Sequence, residues 1–524
     1  MATVKKSVFE KGNWPRCLIV SAALVLFVAG SAYSASVLQP YATDEEGRRH
    51  FRITQENLED YFYTLGWPHV YFQDRDVFEF LESDDPYVLT KGITPGNHID
   101  TIFIGVKADG SAADPAKVVF KPADGTSNGF TFSGVALTNR LENMTFYSMP
   151  FGLQTAQTAP VVFSNCVFTA ITANKQAISH NSYTTKANPL GVVVALDCRF
   201  ENMSRSSASC VSSVMSFAAT NCVFSCLTNN ASGFGGSATA FSRVRNLSCS
   251  GCVFSDIHGE GRLGGAIYLD WTETFAFDRC IFERCTQTSA YDGVHQGGGG
   301  VIFVDSTTAV VGSFRNCLFV DNGCVCLDRA HSAYGGSAIM VDSSSSVISV
   351  ENCTFANNTL SYLKTNQNRG DGAIFVASAQ SFAITNCVFH NNKGLLEDEI
   401  AWKKSHLSLV DWTTVANCLE ANFEEGGTTY DFSSIDTGAA PTTHIIDGVN
   451  GCLVGDYDPK FADAANGDYT ILKSSPCRDA GTLLAWMDSS SLDLAGTARV
   501  FGDHPDIGCY EWWQKLMGLS IFVR

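Results

Sequence analysis

A short unit, Cys-x-Phe, recurs eight times along the chain at intervals of 24 to 37 residues. The residue before the cysteine is asparagine in five copies and aspartate, glycine or arginine in the others. A repeat of this length indicates a solenoid, in which each repeat packs only against its neighbours. The cysteines of the eight units are Cys166, Cys198, Cys222, Cys252, Cys280, Cys317, Cys353 and Cys387.

The phase of the unit predicts two strands joined by a corner. Apolar residues lie five and three positions before the cysteine, as at Val161 and Phe163, with the period of two that is typical of a strand. Cysteine and phenylalanine are also two residues apart, but they are shifted by one residue relative to the preceding apolar pair. Because alternate side chains of a strand point to opposite faces, both pairs can face inward only if a corner lies between them. Asn, Asp and Gly tolerate the left-handed backbone of such a corner. Arg279 is the exception, and we expect a different corner geometry there.

A further strand precedes each unit, and in five repeats it begins at Gly-Gly or Gly-x-Gly, as in Gly264-Gly265-Ala266-Ile267. Each repeat therefore offers three short strands and a variable loop. This pattern predicts an all-β fold, a right-handed parallel β-helix with three strands per coil. A β-sandwich is the alternative, but it would show alternating hairpin turns instead of one fixed period.

Two parts of the chain resemble known families. Gly264-Gly265-Ala266-Ile267 and Phe355-Ala356-Asn357-Asn358 resemble the repeats of polymorphic outer-membrane proteins, which implies a surface-exposed β-helical adhesin. A C-terminal region is similar to the choice-of-anchor Q module of secreted bacterial β-helix proteins, which implies a structural or surface-associated role. Its motifs include Asp458-Pro459-Lys460-Phe461, Ser475-Pro476-Cys477-Arg478-Asp479-Ala480-Gly481, Asp493-Leu494-Ala495-Gly496 and Asp506-Ile507-Gly508-Cys509-Tyr510-Glu511.

The N-terminus has the pattern of a secretory signal peptide. Basic residues come first, an apolar run follows at 17–30, and mostly small residues follow that run at 31–34. An uncleaved membrane anchor is the alternative, but the run is short for a bilayer span. We therefore expect a secreted, cell-surface or outer-membrane protein without a transmembrane span in the mature chain. The predicted organisation is signal peptide 1–34, N-terminal cap 35–100, parallel β-helix 101–425, anchor-Q-like module 426–511 and tail 512–524.

Charge and composition exclude some functions. The chain has 35 Lys and Arg against 53 Asp and Glu, a net charge of −18, and no long basic run. Nucleic acid is therefore excluded as a partner, because binding it requires neutralisation of phosphates. The hydrophobic fraction of 45% excludes a disordered chain.

In the strands that begin at glycine, the residue directly after the inward-facing position is usually large and apolar. Tyr268, Phe303, Met340 and Phe375 are expected to face outward on successive coils, with Ala240 before them. An exposed apolar stripe marks an interaction site, and aromatic rows suit stacking on the rings of a polysaccharide. The alternative is that loops 286–296, 325–334 and 360–369 cover this stripe.

Aspartates form a second outward row. Asp270, Asp305 and Asp342 are predicted to occupy one position on three consecutive coils. Glycosidases need two carboxylates at a defined separation, and Ca²⁺ binds to clusters of oxygen ligands. These residues are therefore candidates for catalysis or for a Ca²⁺ site. The alternative is that each aspartate begins a Ser- and Thr-rich turn and bonds to its own backbone. No Lys, Arg or His recurs beside the row as a base for a lyase.

The cysteines are expected to be mostly buried thiols. Side chains that point the same way on neighbouring coils rarely reach the dihedral angle of a disulfide, so packing as small apolar residues is favoured. Cys477 and Cys509 replace positions that are commonly alanine in the choice-of-anchor Q module. That resemblance suggests a disulfide between them, which export would permit.

Two functions remain open at this point. The first is an exported, non-enzymatic β-helix that acts as an adhesin or a glycan-binding rod, with a polysaccharide or a host or cell-surface ligand as partner. The second is a polysaccharide lyase or glycoside hydrolase that uses the aspartate row. A purely structural surface spacer is a third reading that the sequence leaves open.

Overall fold

The computed structural model describes most of the chain from residue 40 to residue 513. The predicted signal peptide and the residues after 513 lie outside this part. No helix within the described residues is long and apolar enough to cross a membrane. The described ranges are 40–64, 75–93, 100–123, 129–132, 138–153, 159–172, 176–180, 191–205, 210–229, 240–260, 265–289, 300–305, 309–326, 336–362, 372–396, 407–408, 413–421, 423–425, 428–430 and 447–513.

Short strands stack on one another in four parallel rows, which we call stacks 1 to 4 in the order in which the chain passes through a coil. Stack 1 contains the glycine-led strands: Phe130–Phe132, Phe151–Leu153, Ile178–His180, the beginnings of Val211–Thr220 and Phe241–Ser250, Ile267–Leu269, Ile302–Val304, Ile339–Asp342, Ile374–Ser378 and Leu407–Ser408. Stack 2 contains Arg49–Ile53, Val77–Leu81, Ile102–Val106, Asn139–Glu142, Pro160–Ser164, Val192–Leu196, the ends of Val211–Thr220 and Phe241–Ser250, Thr274–Asp278, Val311–Arg315, Val347–Glu351, Ser381–Thr385 and Thr413–Ala416.

The other two stacks follow the Cys-x-Phe corner. Stack 3 contains Tyr87–Leu89, Val119–Pro122, Thr145–Tyr147, Val167–Thr169, Arg199–Arg205, Val223–Asn229, Val253–Ser255, Ile281–Glu283, Leu318–Val320, Thr354–Ala356, Val388–His390, Leu419–Ala421 and Leu453–Gly455. Stack 4 contains the ends of Arg199–Arg205 and Val223–Asn229, then His258–Glu260, Thr286–Ser289, Gly323–Cys326, Thr359–Tyr362 and Lys393–Leu396. The predicted right-handed parallel β-helix is confirmed. Its central coils have one short strand more than the three that were expected.

The corner before each cysteine is left-handed in all eight units. The backbone φ angles of these residues lie between +49° and +64°. The expectation of a different geometry at Arg279 is wrong, because its φ is +52°. Its guanidinium donates hydrogen bonds to Asp278 and to the Ser250 hydroxyl, both at 3.0 Å, and these contacts offset the cost of a left-handed arginine.

A second left-handed corner explains the additional strand. It lies two residues after the phenylalanine of each central coil and turns the chain from stack 3 into stack 4. In three of these coils the next residue is a buried asparagine, and these asparagines hydrogen-bond from coil to coil, Asn322 to Asn358 at 2.9 Å and Asn358 to Asn392 at 2.8 Å. The corner residues are Asn202, Cys226, Asp256, Arg284, Asp321, Asn357 and Asn391, with φ between +51° and +55°.

The interior contains two aligned rows of side chains. The Phe ladder consists of the phenylalanines of the eight units, and successive ring centroids are 4.6 to 5.0 Å apart, which is the spacing of the strands. The Cys ladder consists of the eight unit cysteines, all at most 1% exposed. Cys418 and Cys452 extend this row beyond the recognised repeats.

The thiols of the Cys ladder donate hydrogen bonds to backbone carbonyls. The Sγ of Cys317 lies 3.1 Å from the carbonyl oxygen of Arg315 and 3.5 Å from that of Phe277 in the preceding coil. Burial raises the pKa of the Cys317 and Cys353 thiols well above the usual value. These thiols therefore remain protonated, as donation requires.

The parallel stack begins within the segment 35–100. Arg49–Ile53 and Val77–Leu81 already pair in parallel with each other and with Ile102–Val106. The strand Ala42–Thr43 runs antiparallel to Arg49–Ile53, and a π-helical turn at Asp60–Thr64 buries Phe62 against the rings of the first coils. These elements cover the edge and end of the first coil, as solenoid ends require.

The C-terminal module lies on the outer face of stack 3. Ile471, Cys477 and Ile507 pack on Val388 and Leu419. Its secondary structure is the antiparallel pair Phe461–Asp463 and Asp468–Ile471, with 3-10 turns at Val449–Gly451 and Ala464–Asn466. The remaining elements are the 3-10 turn Pro115–Lys117 and the hairpin Phe423–Glu425 with Thr428–Tyr430.

The module also hydrogen-bonds to the corner asparagines of three coils. The Asn386 amide donates to the Thr482 carbonyl at 2.8 Å and accepts from the Thr482 N–H at 2.9 Å. Asn352 donates to the Asp506 carbonyl at 3.1 Å, and Asn316 accepts from Arg499 at 3.5 Å. The module is therefore bound along the side of the β-helix, not only to its last coil.

Candidate functional site

The outward residues of stack 1 are aligned but not exposed. Tyr268, Phe303, Met340 and Phe375 are direct partners in register on four coils. Phe303, Met340 and Phe375 are only 4%, 1% and 7% exposed and form a cluster of their own, with Tyr268 packed against them. The expectation of an exposed apolar stripe is therefore wrong, because these side chains are covered on the outside of the sheet.

The position predicted for Ala240 also needs correction. Phe241 pairs with Ile267, so Ser242 aligns with Tyr268, and Ala240 is buried in the main core. The strand begins two residues later than predicted, because Phe241 comes five residues after Gly236, whereas Ile267 comes only two residues after Gly265. The loop segments expected to cover the stripe lie largely outside the described residues.

The three aspartates follow the aligned strands of stack 1 and differ in exposure. Asp270 and Asp305 come directly after paired Leu269 and Val304, and Asp342 ends the next strand. Asp270 has a side chain only 12% exposed, Asp305 is half-buried and Asp342 is exposed. The row therefore changes from a desolvated carboxyl group to a solvated one within three coils.

Each aspartate of the row has a partner from another part of the fold. The Tyr268 hydroxyl donates to Asp305 Oδ2 at 3.1 Å, and the Ser378 hydroxyl donates to Asp342 Oδ1 at 3.0 Å. The Nε of Arg243 lies 3.6 Å from Asp270 Oδ2. These contacts join neighbouring coils, so the row is more than a series of separate capped turns.

Asp270 is the most unusual of the three. Burial raises the pKa of its carboxyl group to about 6, although the nearby Arg243 guanidinium opposes the shift. Its Oδ1 is buried and has no hydrogen-bond partner. A carboxyl group of this kind is protonated in a substantial fraction of molecules near pH 6.

Arg243 and Trp271 complete the site, and neither residue was predicted from the sequence. The Arg243 guanidinium carbon lies 4.9 Å from the centre of the Trp271 ring, and Arg243 has a left-handed backbone with φ +54°. The signal was the coil length: Arg243 precedes Asp270 by 27 residues, close to the 28 residues between the ion-paired Arg245 and Glu273. A comparison of opposite charges one coil apart would have found the pair.

We refer to Arg243, Tyr268, Asp270, Trp271 and Asp305 as the Asp270 site. It combines an aromatic ring, a cation, a phenol and two carboxyl groups on adjacent coils, whose strands are about 4.8 Å apart. Desolvation, assisted by the charges of Asp305 and Asp270, raises the pKa of the Tyr268 hydroxyl, which remains a donor at neutral pH. The site can therefore both donate and accept hydrogen bonds beside an aromatic surface.

The raised pKa makes a prediction about stability. The folded-state pKa of Asp270 is about 6, against 3.8 for an unperturbed aspartate. The protonated carboxyl group therefore adds to the free energy of unfolding in full below pH 3.8, and this stabilisation is lost as the pH rises through 6. We expect Asp270→Asn to match the wild type near pH 4 and to exceed its free energy of unfolding by up to about 3 kcal/mol at pH 7.5. Denaturant unfolding from pH 4 to 7.5 measures this, and a difference independent of pH would contradict it.

The Ca²⁺ hypothesis gains no geometric support. Within the described ranges, no three or more His, Cys, Asp or Glu side chains are grouped so that they would hold a metal ion. The three aspartates bind instead to Arg243, Tyr268 and Ser378.

The suggested disulfide between Cys477 and Cys509 is not formed. Both thiols are free and fully buried, and they belong to two different hydrophobic clusters. Cys477 packs with Ile471 and Ile507, whereas Cys509 packs with Tyr469 against the outer residues of stack 3. Each therefore fills the space of a small apolar residue.

Comparisons with known proteins give similarity of structure only. No protein family and no curated protein matches the sequence. One similar solved structure is a mannuronic acid specific polysaccharide family 6 lyase from human gut microbiota, at 11% identity and TM-score 0.33, covering 70% of this chain and 90% of that one. Another is the catalytic domain of a GH87 alpha-1,3-glucanase in complex with nigerose. It has 12% identity and a TM-score of 0.35, and the match covers 71% of this chain and 70% of that one. A third is pectate lyase Pel9A. It has 12% identity and a TM-score of 0.25, and the match covers 84% of this chain and 88% of that one.

Proposed function

We propose that the protein is an exported β-helix that binds polysaccharide through the Asp270 site and acts as a surface adhesin or glycan-binding rod. The observation that carries the proposal is the grouping of Arg243, Tyr268, Asp270, Trp271 and Asp305 on the outside of three consecutive coils. The apolar face of a sugar ring packs on an aromatic ring, and its hydroxyls bond to carboxylates and guanidinium groups. Export is supported by the leader-like residues 1–34 and by the repeats that resemble surface adhesins.

A panel of acidic and neutral polysaccharides tests this proposal. The wild type should be retained by at least one of them, and Trp271→Ala and Asp305→Asn should each weaken binding by about tenfold, because each removes a contact worth about 1.4 kcal/mol. Glu260→Gln is the matched control, since its carboxylate is 50% exposed on stack 4 and away from the site. Failure to bind any polysaccharide, or equal binding by wild type and both site variants, would refute the proposal.

A glycoside hydrolase or lyase is the second candidate, and the environment of Asp270 is the observation that favours it. A desolvated carboxyl group with a pKa of about 6 next to a second carboxyl group on the adjacent coil is suited to act as a general acid. Arg243 also supplies the basic residue that the sequence did not show beside the row.

The same polysaccharides distinguish the two candidates. Release of reducing ends or unsaturated products by the wild type, abolished in Asp270→Asn while binding is retained, would establish an enzyme. Binding without product release from any substrate would establish the non-enzymatic function. An observation that Asp270→Asn turns over substrate at the wild-type rate would exclude Asp270 as the acid.

A further inference from the structure

The charges of the Asp270 site bear on which polysaccharide it accepts. Of its five residues, Arg243 is a cation, and Asp270 and Asp305 carry carboxyl groups. The whole chain has a net charge of −18. A polysaccharide rich in uronate or sulfate would bring further negative charge beside these carboxyl groups, and like charges at close range repel. The site therefore favours a neutral polysaccharide, whose hydroxyls need only hydrogen-bonding groups and an aromatic surface.

The Asp270 carboxyl group is poorly solvated before any ligand binds. Its side chain is 12% exposed, and its Oδ1 is buried without a hydrogen-bond partner. Its Oδ2 lies 3.6 Å from the Nε of Arg243, and that guanidinium also lies over the Trp271 ring. In the ionised form, Asp270 therefore depends on this one guanidinium and on the little water that reaches the remaining exposed part of the side chain.

The titratable and charged groups that the structure describes around Asp270 come from three coils. Arg243 belongs to the preceding coil, Tyr268 to the same strand region as Asp270, and Asp305 to the next coil. The Tyr268 hydroxyl donates to Asp305 Oδ2 at 3.1 Å. Burial outweighs the attraction of the Arg243 guanidinium and raises the pKa of the Asp270 carboxyl group to about 6. Any further loss of water would favour its protonated form more strongly.

On the basis of the proposed function, we propose further that the Asp270 site binds a neutral polysaccharide with Asp270 protonated, so that binding takes up a proton from solution. A sugar ring on Trp271 displaces water from Asp270 and cannot reach the buried Oδ1 to replace it. A neutral sugar supplies no counter-charge, so the ionised form of Asp270 is destabilised, whereas the protonated form can donate a hydrogen bond to a sugar oxygen. By linkage, binding weakens as the pH rises.

Binding of neutral polysaccharides at pH 5 and pH 8 tests this coupling. Dextran, laminarin and galactomannan carry no group that titrates in this range, so a change in affinity belongs to the protein. Binding should be about eightfold weaker at pH 8, which corresponds to about tenfold tighter retention of the proton in the complex. Asp270→Asn has nearly the shape of the protonated carboxyl group and does not titrate, so it should bind equally at both pH values. Alginate should bind more weakly than the neutral polysaccharide.

Calorimetry of the wild type measures the proton directly and needs no variant. At pH 7, the binding enthalpies in two buffers of different ionisation enthalpy should differ by an amount equivalent to uptake of about 0.4 proton per protein molecule. His258→Gln is the matched control. It removes a titratable side chain from the strand His258–Glu260 on stack 4, outside the site, and should retain the wild-type dependence on pH.

The failure of this coupling can be told apart from the failure of the proposed function. The coupling is overturned if a neutral polysaccharide binds equally at pH 5 and pH 8, if its binding strengthens as the pH rises, or if Asp270→Asn keeps the wild-type dependence on pH. Binding of acidic polysaccharides alone would overturn it as well. In each of these cases polysaccharide binding itself stands. If no polysaccharide binds, the proposed function is refuted together with the coupling.

Discussion

Phe319→Ala is expected to lower the free energy of unfolding by about 3–5 kcal/mol. The ring is fully buried between Phe282 and Phe355, with centroid distances of 4.6 and 4.7 Å. It also meets the Phe314 ring edge to face at 6.0 Å. Because coils bury their side chains only against neighbouring coils, the cavity would lie between two coils that cannot move together without breaking their strand pairing.

Denaturant unfolding followed by tryptophan fluorescence and circular dichroism measures the loss. Val311→Ala is a suitable control, since this side chain is 58% exposed on stack 2 and should change stability by less than about 0.5 kcal/mol. A loss of under about 1 kcal/mol in Phe319→Ala would show that the Phe ladder is not a close-packed interior.

The second large effect is expected at Glu511. Arg499 and Glu511 form an ion pair at 3.0 Å in which both side chains are at most 1% exposed. Glu511 also accepts the backbone N–H groups of Phe501 and Asp506. Glu511→Ala leaves a buried guanidinium without its counter-charge, and we expect a loss of about 3–5 kcal/mol in the stability of the C-terminal module.

Limited proteolysis and thermal unfolding report on this module. Cleavage between residues 456 and 513 should become faster in Glu511→Ala, whereas Glu260→Gln should behave as the wild type. The double variant Arg499→Met/Glu511→Leu should recover only part of the loss, because it removes the uncompensated charge but still leaves the N–H groups of Phe501 and Asp506 without their acceptor. Equal proteolysis of the wild type and Glu511→Ala would contradict a structural role for the pair.

The sequence predicted the interior of the coils because strand periodicity and close packing act locally. The phase change at Cys-x-Phe required a left-handed corner, and Asn165, Asn316 and Asn386 have one. The geometry of Arg279 was predicted wrongly because its side chain is held by Asp278 and by Ser250 of the preceding coil, and the second contact cannot be read from the local sequence. The second corner was missed because residues as different as Arg284 and Asn357 occupy it.

The candidate site was only partly predictable, since its contacts cross coils of unequal length. Asp270 and Asp305 were placed correctly beside each other by register. Arg243 was missed, because its distance from Asp270 along the chain becomes meaningful only when the coil length is known. Exposure of Phe303 was predicted wrongly, since periodicity gives the face of a strand but not what covers it.

The lateral attachment of the C-terminal module has a consequence for cooperativity. A solenoid held only by contacts between adjacent coils can fray from its end one coil at a time. Here the coils of Asn316, Asn352 and Asn386 are each tied to the same compact module. Opening the last coils therefore requires release of the module from all three, so this end should exchange its amide hydrogens as a single unit.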